Sequence, residues 1–206
     1  MSDCFIAPDG KARCRWSGAA PEFLDYHDHE WGFPVDDDQR LFEKLCLESF
    51  QSGLSWRTIL VKRDNFRTAF HNFDFEKIAR FTEKDVERLL MNEGIVRHRG
   101  KIEAVVNNAK CATKMVRREG SLGAFFWRYE AKADELAEPQ TVSTSKESIA
   151  LAKELKKMGW KFLGPTTLFA FLQAMGLIND HQEGCTIRRK VVLARGDFKR
   201  PVPKTD

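Results

Sequence analysis

No apolar run in this 206-residue chain approaches the roughly 20 residues that a membrane helix needs, and the opening Met1-Ser2-Asp3-Cys4 carries neither a basic region nor an apolar signal core. A membrane-spanning or exported protein is thereby disfavoured, and a cytoplasmic one is expected. Cysteine is sparse and odd in number, at five, which argues against a disulfide framework and for free thiols or metal ligands. Neither charge sign dominates: 34 Lys and Arg against 30 Asp and Glu leave +4, compatible with a nucleic-acid partner without demonstrating one. An internal repeat, a low-complexity block, a Walker-type glycine loop and a nucleophile elbow are all lacking, which removes repeat architectures, P-loop phosphate chemistry and elbow-type hydrolysis. The middle of the chain holds no convincing alternating strand either.

What is present reads as one helical domain over residues 1–206, because 42% apolar residues suffice for one core and domains of about 100 to 200 residues are common. The most informative stretch is Leu45-Cys46-Leu47-Glu48-Ser49-Phe50-Gln51-Ser52-Gly53-Leu54-Ser55-Trp56. Leu41, Phe42, Leu45 and Leu47 give a helix with a wide apolar face, which Gly53 stops while Ser55 caps the next. Glu48 is thus a carboxylate near a helix end, with Trp56 just past the turn. It can accept hydrogen bonds from a base or a cationic ligand on which the aromatic stacks. Periodicity alone favours a Glu48 on the solvent side of an amphipathic helix, since a helical glutamate is seldom fully buried.

Soft or borderline ligands stand near both ends of the chain. Cys14 in Arg13-Cys14-Arg15-Trp16 and His27 in Tyr26-His27-Asp28-His29-Glu30-Trp31 lie in a segment punctuated by Pro8, Gly10, Gly18, Pro21, Gly32 and Pro34. His181 and Cys185, in His181-Gln182-Glu183-Gly184-Cys185, are close enough for one turn to aim both at a single ion. Together the four would make a closed, tetrahedral Cys2His2 zinc site of structural type. Ordinary thiols and surface histidines fit the spacing as well.

Further helices follow. Trp56, Ile59, Leu60, Phe66 and Phe70 recur at helical spacing behind Ser55, Asp74 caps a short helix, and Thr82 with Asp85 resembles a capping box. Arg97-His98-Arg99-Gly100-Lys101 opens a long helix whose charges could meet phosphates, or could simply be solvated. Leu122, Phe125, Phe126 and Tyr129 form one more, and residues 131–142 read as a loop. Thr144 or Ser145 caps a helix carrying Ile149, Ala152, Leu155 and Met158, and a tight turn with Gly164-Pro165-Thr166 leads into Leu168-Phe169-Ala170-Phe171-Leu172. This helical hairpin could bring the backbone N–H groups of Gly164 and Thr166 to a DNA phosphate, or be a plain antiparallel pair. Residues 186–206, with Arg188, Arg189, Lys190, Arg195, Lys199, Arg200 and Lys204, read as a mobile basic tail.

Taken together, Arg13-Cys14-Arg15-Trp16, Tyr26 to Gly32, Leu47-Glu48 with Gly53 to Trp56, Gly94 to Ile102, and Asn179-Asp180-His181 with Gly184-Cys185 resemble the 3-methyladenine DNA glycosylase I family over residues 13–185. The resemblance implies an all-α fold of the helix-hairpin-helix DNA glycosylase superfamily, its two ends joined by one structural zinc on Cys14, His27, His181 and Cys185. It implies a base pocket of Tyr26, Glu48, Trp56 and Trp16, with Glu48 catalytic, and double-stranded alkylated DNA as partner, contacted at Gly164, Thr166, Arg97, Arg99 and Lys101. It further implies hydrolytic release of free 3-methyladenine by a monomer, leaving an abasic site in base excision repair. Alkylation at N3 makes the base cationic and a good leaving group, so recognition by a carboxylate and aromatic faces can do most of the catalysis. No lysine lies between Lys161 and Lys190 where a lyase would place its Schiff-base amine, so a monofunctional glycosylase is expected, with Asp180 structural rather than catalytic. Phe162 stands where the wider superfamily has the hairpin's first glycine.

Overall fold

The chain begins with a hairpin that period-2 patterning does not show, because its strands are too short to alternate: β1 (Cys4–Ile6) pairs antiparallel with β2 (Ala12–Cys14), and Cys4 lies opposite Cys14. A computed structural model describes residues 4–204; residues 1–3 and 205–206, the outer ends of the leader and the basic tail, lie outside the described residues. This small sheet amends an otherwise helical fold.

Helix α1 (Pro21–His29) starts at a proline, where a missing N–H costs nothing. Helix α2 (Asp38–Gln51) is capped by Asp37, whose carboxylate accepts from the Arg40 N–H at 2.8 Å. Nearly every residue of α2 after its first turn is buried, including Leu41, Phe42, Leu45, Leu47 and Phe50. A helix wrapped on all sides forces Glu48 inward with the rest, so the solvent-facing reading of Glu48 falls. Each such apolar side chain contributes on the order of 1.5–3 kcal/mol through burial.

Gly53 turns the chain at φ 78°, a conformation that costs a residue with a Cβ, and the Ser55 hydroxyl then accepts from the Thr58 N–H at 3.2 Å to start α3 (Trp56–Leu60). The single helix expected through Phe70 is interrupted: at Lys62 a tight turn (φ −97°, ψ 1°) separates α3 from α4 (Arg63–Ala69), and the Lys62 ammonium donates to the Glu93 carbonyl. Asp74 caps α5 (Phe75–Ile78), and Thr82 with Asp85 forms the expected box ahead of α6 (Glu83–Leu90). Helix α7 (Arg99–Glu119) buries Ile102, Val105, Val106 and Ala109, and it packs on α2, α5, α6 and α8 (Leu122–Phe126).

Ser145 caps α9 (Lys146–Lys157), and Pro165 opens α10 (Pro165–Ala174), which packs on both α9 and α2. The apolar face of α9 is rotated from that expected: Ser148 is buried and Ile149 half-exposed, because the Ser148 hydroxyl is used up inside the capping turn by the Ser145 N–H and carbonyl. Gly176 follows α10 at φ 78°, where a Cβ would stand 2.6 Å from the Phe33 and Pro34 backbone. That close approach presses the end of α10 onto the segment between α1 and α2.

The expected mobile tail is corrected over most of its length. Residues 186–197 form α11 (Thr186–Asp197), which buries Ile187 and Val191, and Arg195 bonds the Gly176 carbonyl and Glu130. Beyond it, Arg200 pairs with Glu130 and the Lys204 N–H reaches the Glu119 carbonyl at 3.1 Å. Among the described residues no helix is long and apolar enough to cross a membrane.

Candidate base pocket and metal centre

The end of α2, the start of α3, the end of α1 and the middle of α10 converge on a cavity of about 310 Å³, the size of a small-ligand site, lined by Trp16, Tyr26, Trp31, Glu48, Gln51, Trp56, Gln140, Val142, Ala170 and Gln173. All four base-pocket residues expected from sequence therefore face one space. The Tyr26 and Trp56 rings stand 5.2 Å apart at 44°, and Trp16 packs against Tyr26 at 6.3 Å. Glu48 is 6% exposed, too buried for a surface carboxylate, and lines this cavity.

The partner that makes such burial tolerable is Lys44, which sequence reasoning missed. One turn before Glu48, its ammonium lies 3.1 Å from the Glu48 carboxylate, donates to the Tyr26 hydroxyl and sits 3.7 Å from the centre of the Trp56 ring. Burial pulls the Lys44 amine below the ordinary lysine range, and Glu48 opposes that shift. Burial, then the nearby Glu48 charge, pushes the Tyr26 hydroxyl well above its usual value and keeps it protonated. The indole N–H of Trp56 is buried without a partner.

Gln140 and Gln173 are also absent from the sequence reading. Asp180 holds both: its carboxylate accepts from the Gln140 N–H at 3.0 Å and from the Gln173 amide, and Gln140 is fixed at φ 62°. Asp180 itself is not among the residues lining the cavity.

Behind Trp16 lies the second site. The sulfurs of Cys14 and Cys185 and a ring nitrogen of His27 are buried and all lie within 4.8 Å of one another, a group that can hold a metal ion. His181 packs its ring 4.9 Å from that of His27, but it does not stand within the same mutual distance. Its Nε2 is buried with no partner, while Nδ1 is engaged by Asn179 at 3.1 Å. Burial pushes the His181 ring down to about 3, so it stays neutral. Gly32 makes room for it, since a Cβ there would stand 2.7 Å from the imidazole. On the other side, His27 Nδ1 pairs with Asp28 at 2.7 Å, and Asp28 is clamped by Arg13 at 2.8 Å. A carboxylate oriented behind a histidine in this way fixes the tautomer that presents Nε2 to a metal.

The expected DNA-backbone residues divide. Gly164 and Thr166 are exposed at the hairpin turn, with open space around Gly164, and Arg97 is exposed with a weak pair to Glu93 at 3.5 Å. Arg99 is exposed and pairs at the surface with Glu83, Glu87 and Glu103, which leaves it on the outside of the fold. One is corrected. Lys101 is buried, its ammonium donating to the Phe50 and Ser52 carbonyls at the end of α2, which removes it from the surface.

Residues 16–189 match the sequence model of the methyladenine glycosylase family. The chain is 45% identical over 177 residues to DNA-3-methyladenine glycosylase 1 of Escherichia coli, covering 84% of this chain and 95% of that protein. It is equally similar, at 45%, to DNA-3-methyladenine glycosylase of Haemophilus influenzae, covering 84% of this chain and 96% of that one. A crystal structure of 3-methyladenine DNA glycosylase I superposes with TM-score 0.79 at 46% identity, covering 84% of this chain and 98% of the other. A tyrosine-to-phenylalanine variant of such an enzyme in complex with 3-methyladenine superposes with TM-score 0.80 at 39% identity, covering 85% and 97%. By sequence and by structure, the chain belongs to the methyladenine glycosylase family.

Proposed function

We propose that the protein is a DNA-3-methyladenine glycosylase that hydrolyses the N-glycosidic bond of 3-methyladenine in alkylated double-stranded DNA. The observation that carries this reading is the buried Glu48 carboxylate opening into a cavity walled by Tyr26, Trp56 and Trp16. The flipped base stacks on Tyr26 and Trp56 while Glu48 accepts hydrogen bonds from its polar edge, and the electron-rich faces favour a cation by about 0.5–2 kcal/mol each. The bond from C1′ to N9 breaks with its electron pair passing to the purine, which leaves neutral. Water bonds to C1′ and releases its proton, so an abasic site remains. With no lysine between Lys161 and Lys190 for a Schiff base, the activity is monofunctional.

Zinc fits the second site. Two thiols, the His27 nitrogen and the partnerless His181 Nε2 supply the donor types of a closed tetrahedral centre. Bound there, the ion would join the N- and C-terminal segments and contribute folding energy. The α9–turn–α10 hairpin is the helix-hairpin-helix element, with Gly164 and Thr166 at its exposed turn toward the DNA backbone.

The test incubates the protein with methylated duplex DNA and identifies the released bases by chromatography. Release of 3-methyladenine, lowered at least about tenfold (about 1.4 kcal/mol) in a folded Glu48→Gln variant, is expected. Release of no base, or an unimpaired variant, overturns the reading.

A further inference from the structure

The pocket wall carries a charge on its far side. Tyr26 and Trp56 line two cavities: the base cavity, which Glu48 also lines, and a smaller one behind them, which Lys44 lines with Glu30, Glu43, Arg63, Arg67 and the exposed Arg40. Behind the wall Glu30 pairs with Arg63 at 2.6 Å and Glu43 with Arg67 at 2.8 Å, so the acid that answers Lys44 is Glu48, at 3.1 Å. The ammonium also lies 4.6 Å from the centre of the Tyr26 ring and 3.7 Å from that of Trp56, in cation–π contact with both rings that the base would stack on.

We propose that Lys44 is a specificity-determining residue: its ammonium, held behind the aromatic wall, supplies the counter-charge that a cationic base would otherwise supply, and so sets how strongly the pocket prefers a charged base to a neutral one. The inference rests on the pocket's taking an alkylated adenine. Two effects act in the same direction. A positive charge beside Glu48 cancels much of that carboxylate's attraction for a second cation, since two unit charges a few ångströms apart still interact appreciably in a protein environment. A cation already drawing on the ring faces also repels another cation placed against the same rings. The consequence suits the reaction, because positive charge leaves the purine as the glycosidic bond breaks. A pocket of net negative charge would hold the cationic ground state more tightly than the departing neutral base, lowering KM at the expense of kcat. With Lys44 in place the pocket is nearly neutral and matched to the product side.

The test compares the binding of two probes, free 3-methyladenine at a pH where it is neutral and 3,9-dimethyladeninium, which keeps the positive charge, in the wild type and in Lys44→Met, Lys44→Gln and Lys44→Arg. The wild type is expected to prefer the cation by less than about tenfold, and Met or Gln to raise that preference at least about tenfold while lowering both kcat and KM on methylated DNA. Lys44→Arg, which keeps the charge, should retain the wild-type ratio. A wild type that already prefers the cation a hundredfold overturns the proposal without any variant. So does an unchanged or smaller ratio in whichever neutral variant folds, or an Arg variant that shifts as the neutral ones do. If the wild type binds neither probe, the glycosylase reading itself fails, which is a different result.

Discussion

The Lys101 ammonium reaches back from the first turn of α7 to the Phe50 carbonyl, 2.9 Å away, and so closes the last turn of the helix that carries Glu48. The final carbonyls of a helix have no internal partner, and a cation there meets both the unpaired oxygens and the negative end of the helix dipole. With Phe50 and Ser52 tied down, the turn at Gly53 and the cap at Ser55 are fixed, and with them the placing of Trp56 opposite Glu48.

Replacing Lys101 by Met should therefore cost about 1–3 kcal/mol of stability, since it orphans the buried Phe50 carbonyl, while the Ser52 carbonyl, on an exposed residue, can turn to water. A thermal melt reads this directly. The same variant separates the structural role from a phosphate contact. A lysine on the DNA backbone would reduce the slope of log affinity against log salt by about 1 when removed. The expected slope is that of the wild type, and a lowered slope would return Lys101 to the DNA surface.

Deleting residues 186–206 should destabilise the fold by several kcal/mol rather than leave it unaffected as a loose tail would. Ile187 and Val191 are fully buried, and the Arg195 bond to Gly176 braces the close contact between α10 and the chain before α2. Burial of two such side chains alone is worth about 3–6 kcal/mol. The check is the urea midpoint of the deletion protein against the full chain, with a coincident midpoint refuting a docked α11.

Asp38 gives a pH dependence with a definite sign. Its carboxylate accepts from the Leu122 N–H at 2.7 Å and the Gly123 N–H at 3.1 Å, where α2 meets α8. Burial pushes its pKa above 3.8, those hydrogen bonds oppose the shift, and the Asp37 and Asp36 charges add to it. In the window just above 3.8 the folded state therefore holds more proton than the unfolded one. The stability from protonated Asp38 is fully present below that window and is lost as pH rises through the folded value. The amide of an Asp38→Asn variant keeps an acceptor oxygen but cannot titrate, so the wild type should lose stability relative to that variant as pH rises above 3.8 and through the raised folded value. Melting curves of the two proteins at several pH values decide it; a gap that widens in favour of the wild type as pH rises would reverse the assignment.

Helix spacing, caps and the chemistry of ligand types are legible in the sequence. Ser55, Asp74, Thr82 and Ser145 all cap the helices their residue types announce, whereas the burial of Glu48 follows from the wrapping of α2 on all sides, which periodicity does not show. What stayed hidden has physical reasons. Lys44 and Lys101 look like solvated charges in any helical wheel, because only the tertiary fold brings a carboxylate or an open helix end to them. Gln140 and Gln173 enter the pocket through Asp180, a contact across 40 residues for the first, which no local pattern encodes. In α11 two apolar residues one turn apart were outweighed by the surrounding arginines and lysines, whose long stems cover an apolar stripe while their charges remain wet.

The metal centre offers the last test, because its outer layer is as specific as its ligands. Arg13 clamps Asp28 through Nε at 2.8 Å and Asp28 accepts from His27 Nδ1 at 2.7 Å, which leaves His27 Nε2 facing the Cys185 sulfur at 3.6 Å. Asp28→Asn keeps the size of the side chain but loses the charge that locks this orientation. Zinc affinity should fall about 10- to 100-fold, as it does when a carboxylate behind a ligating histidine is lost. Competition against a chromophoric chelator measures that fall. Because Cys14, His27 and Cys185 stand behind Trp16 and do not line the base cavity, release of 3-methyladenine by the variant at saturating zinc should match the wild type. A variant that holds zinc as tightly as the wild type would separate Asp28 from metal binding. One that holds zinc but no longer releases base would place the metal centre in the chemistry instead of in the fold.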